Sequence, residues 1–518
     1  MENINKEYTR IRREFDVYTD TSADYSLPDY NGDIKRVLYT SAEVSPASRF
    51  NEGDSISASG IVTYDIIYLN SENEIDHVTF SSDYDVSARL HSENICGSDI
   101  ETRISSYSHR LFGPRRINMK AALTSEVRAT ETVSLDTAIS ECENGDTECI
   151  LKNLSIATAV YAHSREREYA ECISSLEGVM ADEVEIIHSA AKCAFDSVKA
   201  EAGGISLSGN IIVSELIRCG ESGPILYKKK IPFEEYVECE GAKPEMSAGA
   251  YANISSVSVG VTPEENGVSV TASVIAEYGV RAYGNSDVSV LRDAYLKTSA
   301  SEAAYESITY NTHVGRQTKN LTATHTLPIS EISDSGIENV IYTTAQGKVN
   351  SIAAEGGEAK IGIEMKVQGI CSKLDEGGEE SYHSVKCSFT AAEAVSLNSP
   401  IPDDAIIECS LRIIDTVATI DESNMYIDVL YSLDLNAERS NSEVRLSSLI
   451  ANSEVKFEKK ESEITVYYPS ADDTLFSVAK AFHTSTKKIA ADNMLTESVM
   501  KSSFEAGGLR GIRKLIIK

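Results

Sequence analysis

The chain has 518 residues with a formal charge of −32; 42% of them are hydrophobic, and it contains 25 Tyr and no Trp. That apolar fraction suits ordinary cores and excludes a disordered chain, and the length predicts three or four domains. The negative charge repels phosphate backbones and anionic lipid, which excludes nucleic acid as a partner of the body.

The amino end, Met1 to Tyr8, lacks the basic start and apolar stretch of a secretion signal, and no 18-residue apolar run occurs anywhere. A cytoplasmic protein with no direct membrane insertion is expected. Ser, Thr, Val and Ile recur in alternating runs, so the fold should be mainly β, with a minor helix near Ser301 to Ser307.

The body repeats itself. Asp33-Ile-Lys-Arg-Val-Leu38 leads to Ile56-Ser-Ala-Ser-Gly60, and Glu183-Val-Glu-Ile-Ile187 leads to Ile205-Ser-Leu-Ser-Gly209, an offset of 149 residues. A third copy starts near Asn339-Val-Ile-Tyr342 and leads to Ala359-Lys-Ile-Gly-Ile363, offset by 154, with Ile363 in the glycine's place. Each copy follows a strand-like segment ending in leucine, at Leu27, Leu176 and Leu327. Each also has a later alternating strand, at Ile117 to Leu123, Val268 to Val274 and Met425 to Tyr431. Three tandem sandwich-like β units are predicted, over residues 1–160, 161–310 and 311–452, because strands with one apolar face bury it against a second sheet. Polar joints are expected near residues 150–165 and 295–315, and a charged linker at 453–463.

Signals for chemistry are missing from this body. Sequence patterns for zinc proteases, nucleophile elbows, P-loops and dinucleotide folds do not occur. The ten cysteines form no CxxC, with Cys142 and Cys149 the closest pair, so buried or idle thiols are expected and no metal. His313 and His325 straddle a predicted strand, and the acidic pairs Glu379-Glu380 and Asp403-Asp404 fall in polar loops. Gly507-Gly508-Leu509-Arg510-Gly511 lacks the strand-to-helix setting of a phosphate loop and is expected to be a flexible turn. The chain is not expected to be an enzyme or to carry a cofactor.

The last 55 residues, 464–518, have a different rhythm. Ile464, Val466 and Tyr468 alternate as the buried face of a strand that Pro469 stops. Asp472 or Asp473 is placed to cap a helix carrying Leu475, Val478, Ala479 and Phe482. Ser485 or Thr486 caps a second helix with Ile489, Ala490 and Met494, and Asn493 sits near its stop. Leu515 to Ile517 offer a closing strand. Eight Lys or Arg face five Asp or Glu from Ile464 onward, so the tail carries +3 and the body −35.

On Asp473-Thr474-Leu475, Ser477-Val478-Ala479 and Ile489 to Leu495, this tail resembles a LysM domain. Asp472 stands where that family has a turn glycine, and Ser503 to Arg513 replaces its usual ending. The resemblance implies a small βααβ fold whose groove takes N-acetylglucosamine polymers such as peptidoglycan. The body, with its Ser-Gly hairpins and Ile231-Pro232-Phe233, resembles the SPOCS domains of clostridial SipL-type spore coat proteins, where several such units precede one LysM domain. That likeness implies a non-enzymatic scaffold at the forespore surface in the mother cell, tethering spore coat proteins to the basement-layer ATPase. The alternative is a peptidoglycan-binding wall or cortex protein. Thr474, Leu475, Phe476, Lys487, Lys488, Ile489, Asn493 and Met494 are expected to line or support the tail's partner-binding face, with Leu475 and Ile489 also suited to its core.

Overall fold

Alternation in the sequence becomes alternation in burial. In the computed structural model, Ile117, Met119, Ala121 and Leu123 are fully buried, as are Val268, Val270, Ala272 and Val274, and Met425, Ile427, Val429 and Tyr431. The structure describes residues 2–45, 48–52, 54–90, 94–139, 146–220, 222–332, 336–374, 380–457, 464–496, 509 and 511–518. It is mainly β, 77% strand and 4% helix, in several sheets.

The first stretch holds β1 (Glu2–Ser26), β2 (Arg36–Val44), β3 (Ser48–Glu52), β4 (Ser55–Leu69), β5 (Ile75–Arg89), β6 (Ile95–Leu111) and β7 (Arg116–Ile139). Antiparallel β1, β7 and β6 face the sheet formed by β2 to β5, and one apolar core fills the space between. The pattern recurs in β8 (Thr147–His163), β9 (Arg167–Glu177), β10 (Val184–Glu201), β11 (Gly204–Cys219), β12 (Ile225–Glu238), β13 (Ser247–Glu264) and β14 (Gly267–Leu296). Here β8, β9 and β13 flank β14, and that sheet closes on β10-β11-β12. The third set is β15 (Ser299–Pro328), β16 (Asn339–Glu355), β17 (Glu358–Leu374), β18 (Glu380–Val395), β19 (Ile406–Ile420) and β20 (Asn424–Lys456). Its β15-β20-β19 sheet packs on β16-β17-β18. A short parallel contact between β7 and β20, at Ser448–Ala138 and Leu449–Ile139, joins the first and third sets into one six-stranded sheet.

The sequence offsets have a spatial meaning. Leu38, Ile187 and Ile341 share one apolar cluster with Ile67, Leu216 and Ile370, and both trios are spaced by 149 and 154 residues. Beside them Tyr39, His188 and Tyr342, again one residue per copy, form a closed ring of edge contacts with centroids 5.1 to 5.5 Å apart. Equivalent strands of the three sets therefore converge on one central seam.

A second layer of the seam is charged. Glu101 accepts from Arg281 at 2.9 Å and Arg412 at 2.6 Å, and Arg128 lies 3.6 Å away, so one carboxylate meets a guanidinium from each set. Tyr251 donates to Asp99 at 2.8 Å, and His163 lies 3.0 Å from the same carboxylate. Burial raises the pKa of both carboxylates, but their partners outweigh it: for Asp99 the His163 contact first and then the Arg128 and Arg281 charges, for Glu101 the surrounding guanidiniums. Glu101 is held well below its ordinary value and Asp99 is brought down to about 2. Isolated buried charges would cost far too much; pairing across the sets offsets that cost.

Several expectations need correction. Residues 301–307 are strand within β15, not helix. The polar joints at 150–165 and 295–315 lie mostly within β8, β14 and β15, leaving only Lys297 and Thr298 between the last two. These polar stretches stay extended because the outer ends of the long strands form ribbons that pack together. Leu154, Ile156, Val288 and Val290 meet Val133, Ile308 and Tyr310 there. The glycine of the third copy has moved by one residue. Gly209 sits beside a bulge where an added Cβ would meet the Ala194 carbonyl at 2.1 Å, and in β17 the residue opposite the matching bulge is Gly362. Most of the 453–463 linker and the Glu379 of its acidic pair lie outside the described residues, as does Cys142.

Candidate docking module at the carboxyl end

The tail runs β21 (Thr465–Tyr467), α1 (Leu475–Ala481), α2 (Thr486–Asp492) and β22 (Leu515–Ile517). Its cap residues are not all those expected. Thr474 is the N-cap of α1: its hydroxyl accepts from the Ser477 amide at 2.9 Å, and its amide donates to the Ser477 hydroxyl at 2.9 Å. Asp473 instead closes the preceding turn, accepting from the Tyr467 hydroxyl and the Ser470 amide, each at 2.7 Å. Burial pulls its pKa upward, yet those donors hold the carboxyl below its ordinary value. Ser485 caps α2, accepting from the Lys488 amide at 3.1 Å.

The strand phase is the reverse of the expected one. Tyr467 packs inward with Leu515 and Ile517, while Ile464, Val466 and Tyr468 are 64%, 47% and 72% exposed. Pairing of Thr465 with Ile517 and Tyr467 with Leu515 sets this phase, because β22 has only one alternation that buries two of its three residues.

The eight expected face residues do not form one surface. Leu475 and Ile489 are core. Thr474 is a cap, and Lys488 is half-buried beside its own. Phe476 is covered by the body, its ring 5.2 Å from Tyr295 in an edge contact. Asn493 works as a clamp: Oδ1 accepts from the Ile516 amide at 2.6 Å, and Nδ2 donates to the carbonyls of Ile516 at 2.7 Å and Ile489 at 2.8 Å. A side-chain amide thus stands in for a third strand on the free edge of β22. Lys487 and Met494 do face solvent. Met494 is 90% exposed with φ of 51°, a left-handed position that usually takes glycine or asparagine after a helix.

The tail is seated on the end of the β8–β14 ribbon. Tyr295 donates to the Thr484 carbonyl at 2.6 Å, Lys480 reaches both Asp293 oxygens at 2.7 Å, and Glu148 accepts from the Thr486 hydroxyl at 3.0 Å. Ile150 adds apolar contact, and His483 stacks on Phe457 at 3.6 Å. Sequence reasoning missed this seat, since nothing in the spacing of Glu148, Asp293 and Tyr295 ties them to residues 476–486.

A cavity of about 300 Å³ at the charged seam is lined by Arg103, Arg128, Arg281 and Arg316, but Asp16, Glu126, Glu408 and Asp434 balance them. Burial pushes the Cys371 and Cys409 thiols up to about 12, away from the thiolate that reactive cysteines need. The described residues contain no group of three His, Cys, Asp or Glu able to hold a metal ion, and no described helix is long and apolar enough to cross a membrane. His313 and His325 both lie on β15, 12 residues apart, and stack on Tyr283 and Phe389 respectively. Of the Gly507–Gly511 stretch, only Leu509 and Gly511 fall among the described residues, and Leu509 is buried in the tail's core.

No family model matches the chain, and no curated protein or solved structure matches it either.

Proposed function

We propose that this chain is a non-enzymatic spore coat scaffold of the SipL type, with three tandem SPOCS-like sandwiches carrying a LysM-like βααβ tail. In this reading it works in the mother cell cytoplasm, where the tail docks on the basement-layer ATPase of the forespore surface and the body carries other coat proteins. Meeting of equivalent positions from the three copies at one seam supports the tandem reading. The observation that carries the docking role is Met494. A large apolar side chain 90% exposed, on a backbone conformation costing roughly 1 kcal/mol for a non-glycine residue, is an expense that packing among the described residues does not repay. Partner contact would.

The test uses the full chain, purified basement-layer ATPase, and isolated peptidoglycan in parallel. The scaffold reading expects capture of the ATPase, no sedimentation with peptidoglycan, and at least tenfold weaker capture by Met494→Gly, a change that relieves the backbone. Binding to peptidoglycan without any protein partner would replace this reading by the glycan-binding one.

A further inference from the structure

The long strand β14 has unlike structures at its two ends. Its carboxyl end, at Asp293 and Tyr295, holds the tail. The helices make that seat, so the opposite face of the two-stranded sheet points away from the body. By alternation this outer face carries Val466 of β21, with Ile464 and Tyr468 at its two ends, and Ile516 of β22, flanked by exposed Lys514. It is an apolar strip on a module of net charge +3.

The amino end of β14, at Gly267 and Val268, borders an open groove between the end of β9 and the turn joining β13 to β14. The Gly178 amide donates to the Asn266 carbonyl at 2.8 Å across its floor. Val179 and Pro263 line it with Met180, which is 61% exposed. The rim is acidic: Glu177, Glu264 and Glu265 line the groove, Asp182 and Glu183 follow Met180, and no Lys or Arg is among the lining residues. The 30 residues of β14, at about 3.3 Å each, put the two ends at most roughly 95 Å apart along the strand.

We propose that the outer face of the tail docks into the Met180 groove of a second copy of this chain. Apolar surface meets apolar surface, and a positive module meets a negative rim. The tail cannot reach its own groove, because its seat fixes it at the far end of the same strand. Such a contact is heterologous, joining two different surfaces, so it does not close into a dimer but continues head to tail. A sheet of two three-residue strands covers little area, which makes each link weak and the assembly dependent on concentration and salt. This goes beyond the scaffold role and is measured with no other protein present, so either can fail alone.

The experiment is sedimentation velocity of the full chain over a range of concentrations, at low salt and at about 0.5 M salt, where surface electrostatics are screened. Wild-type protein should gain mass with concentration at low salt, with association weakened roughly tenfold or more at high salt. A tail variant, Val466→Glu with Lys514→Glu, and a groove variant, Glu264→Lys with Glu265→Lys, should each remain monomeric. All four positions are exposed, and circular dichroism verifies that the variants fold. Mixed together, the two variants should associate again, since each reversed surface then finds an opposite charge on the other copy. Monomeric wild type at every concentration, a single variant that associates like wild type, or a mixture that stays monomeric would overturn the proposal.

Discussion

Replacing Asn493 with alanine should unfasten β22 while leaving the body untouched. The side chain makes three hydrogen bonds of 2.6 to 2.8 Å, two of them to the backbone of Ile516. Each is worth about 1 kcal/mol net, and truncation leaves a backbone donor and two acceptors to find water, so about 2 to 3 kcal/mol is at stake. A module of this size holds only about 3 to 5 kcal/mol from its core, and the loss would leave its closing strand marginal. Amide hydrogen exchange on the full chain reads this directly. Protection at Leu515 to Ile517 should fall about 30- to 150-fold at roughly 1.4 kcal/mol per decade, while peptides from Val268 to Val274 exchange as before. Unchanged protection at the closing strand would refute the clamp.

Tyr295→Ala should release the tail from its seat, removing the ring against Phe476 and the bond to the Thr484 carbonyl at a cost of about 3 kcal/mol. Faster proteolysis between the body and the tail, with the body's melting unaltered, is the expected result. Arg281→Met takes one of three guanidiniums from the buried Glu101 and should destabilise the body by about 3 kcal/mol in denaturant titration. Acid acts on stability through opposing groups: Glu215, pushed by burial to about 7, favours the fold as pH drops from 7 toward 4.5, whereas His313 works against it in much the same range. Burial and then Arg316 push His313 down to about 4, so its contribution is complete above about pH 6.5 and lost as pH falls from there toward 4. Asp99, Glu101 and Asp434 are held below their ordinary values, so theirs is present above about pH 4 and lost below it, for Asp99 toward pH 2. Melting temperatures that rose on acidification from pH 4 to pH 2 would contradict the carboxylate assignments, and an unchanged profile between pH 7 and 4 in a His313→Gln variant would contradict that of His313.

What could be read from the chain alone was whatever lies on a strand's own face. Val268 to Val274 and its counterparts announce their burial by alternation, and the offsets of 149 and 154 link positions that meet in space. The charged seam was invisible because Glu101, Arg281 and Arg412 each resemble a solvated residue, and only closure of the three sheet pairs brings them together. The phase of β21 was ambiguous for another reason. Apolar residues occupy both of its faces, so the choice belongs to its pairing with β22. In the tail, Leu475, Ile489 and Asn493 proved to be residues that build the module, whereas the exposed ones carry no pattern of their own.

Tyr39, His188 and Tyr342 occupy what would be a single residue repeated around the axis of a homotrimer. Joining the three subunits in one polypeptide frees the assembly from dilution, since no protomer can leave. It also frees each subunit to vary: the middle one has an imidazole where its neighbours have phenols. The copies are thereby no longer alike: the carboxylate that gathers a guanidinium from every set, Glu101, belongs to the first alone.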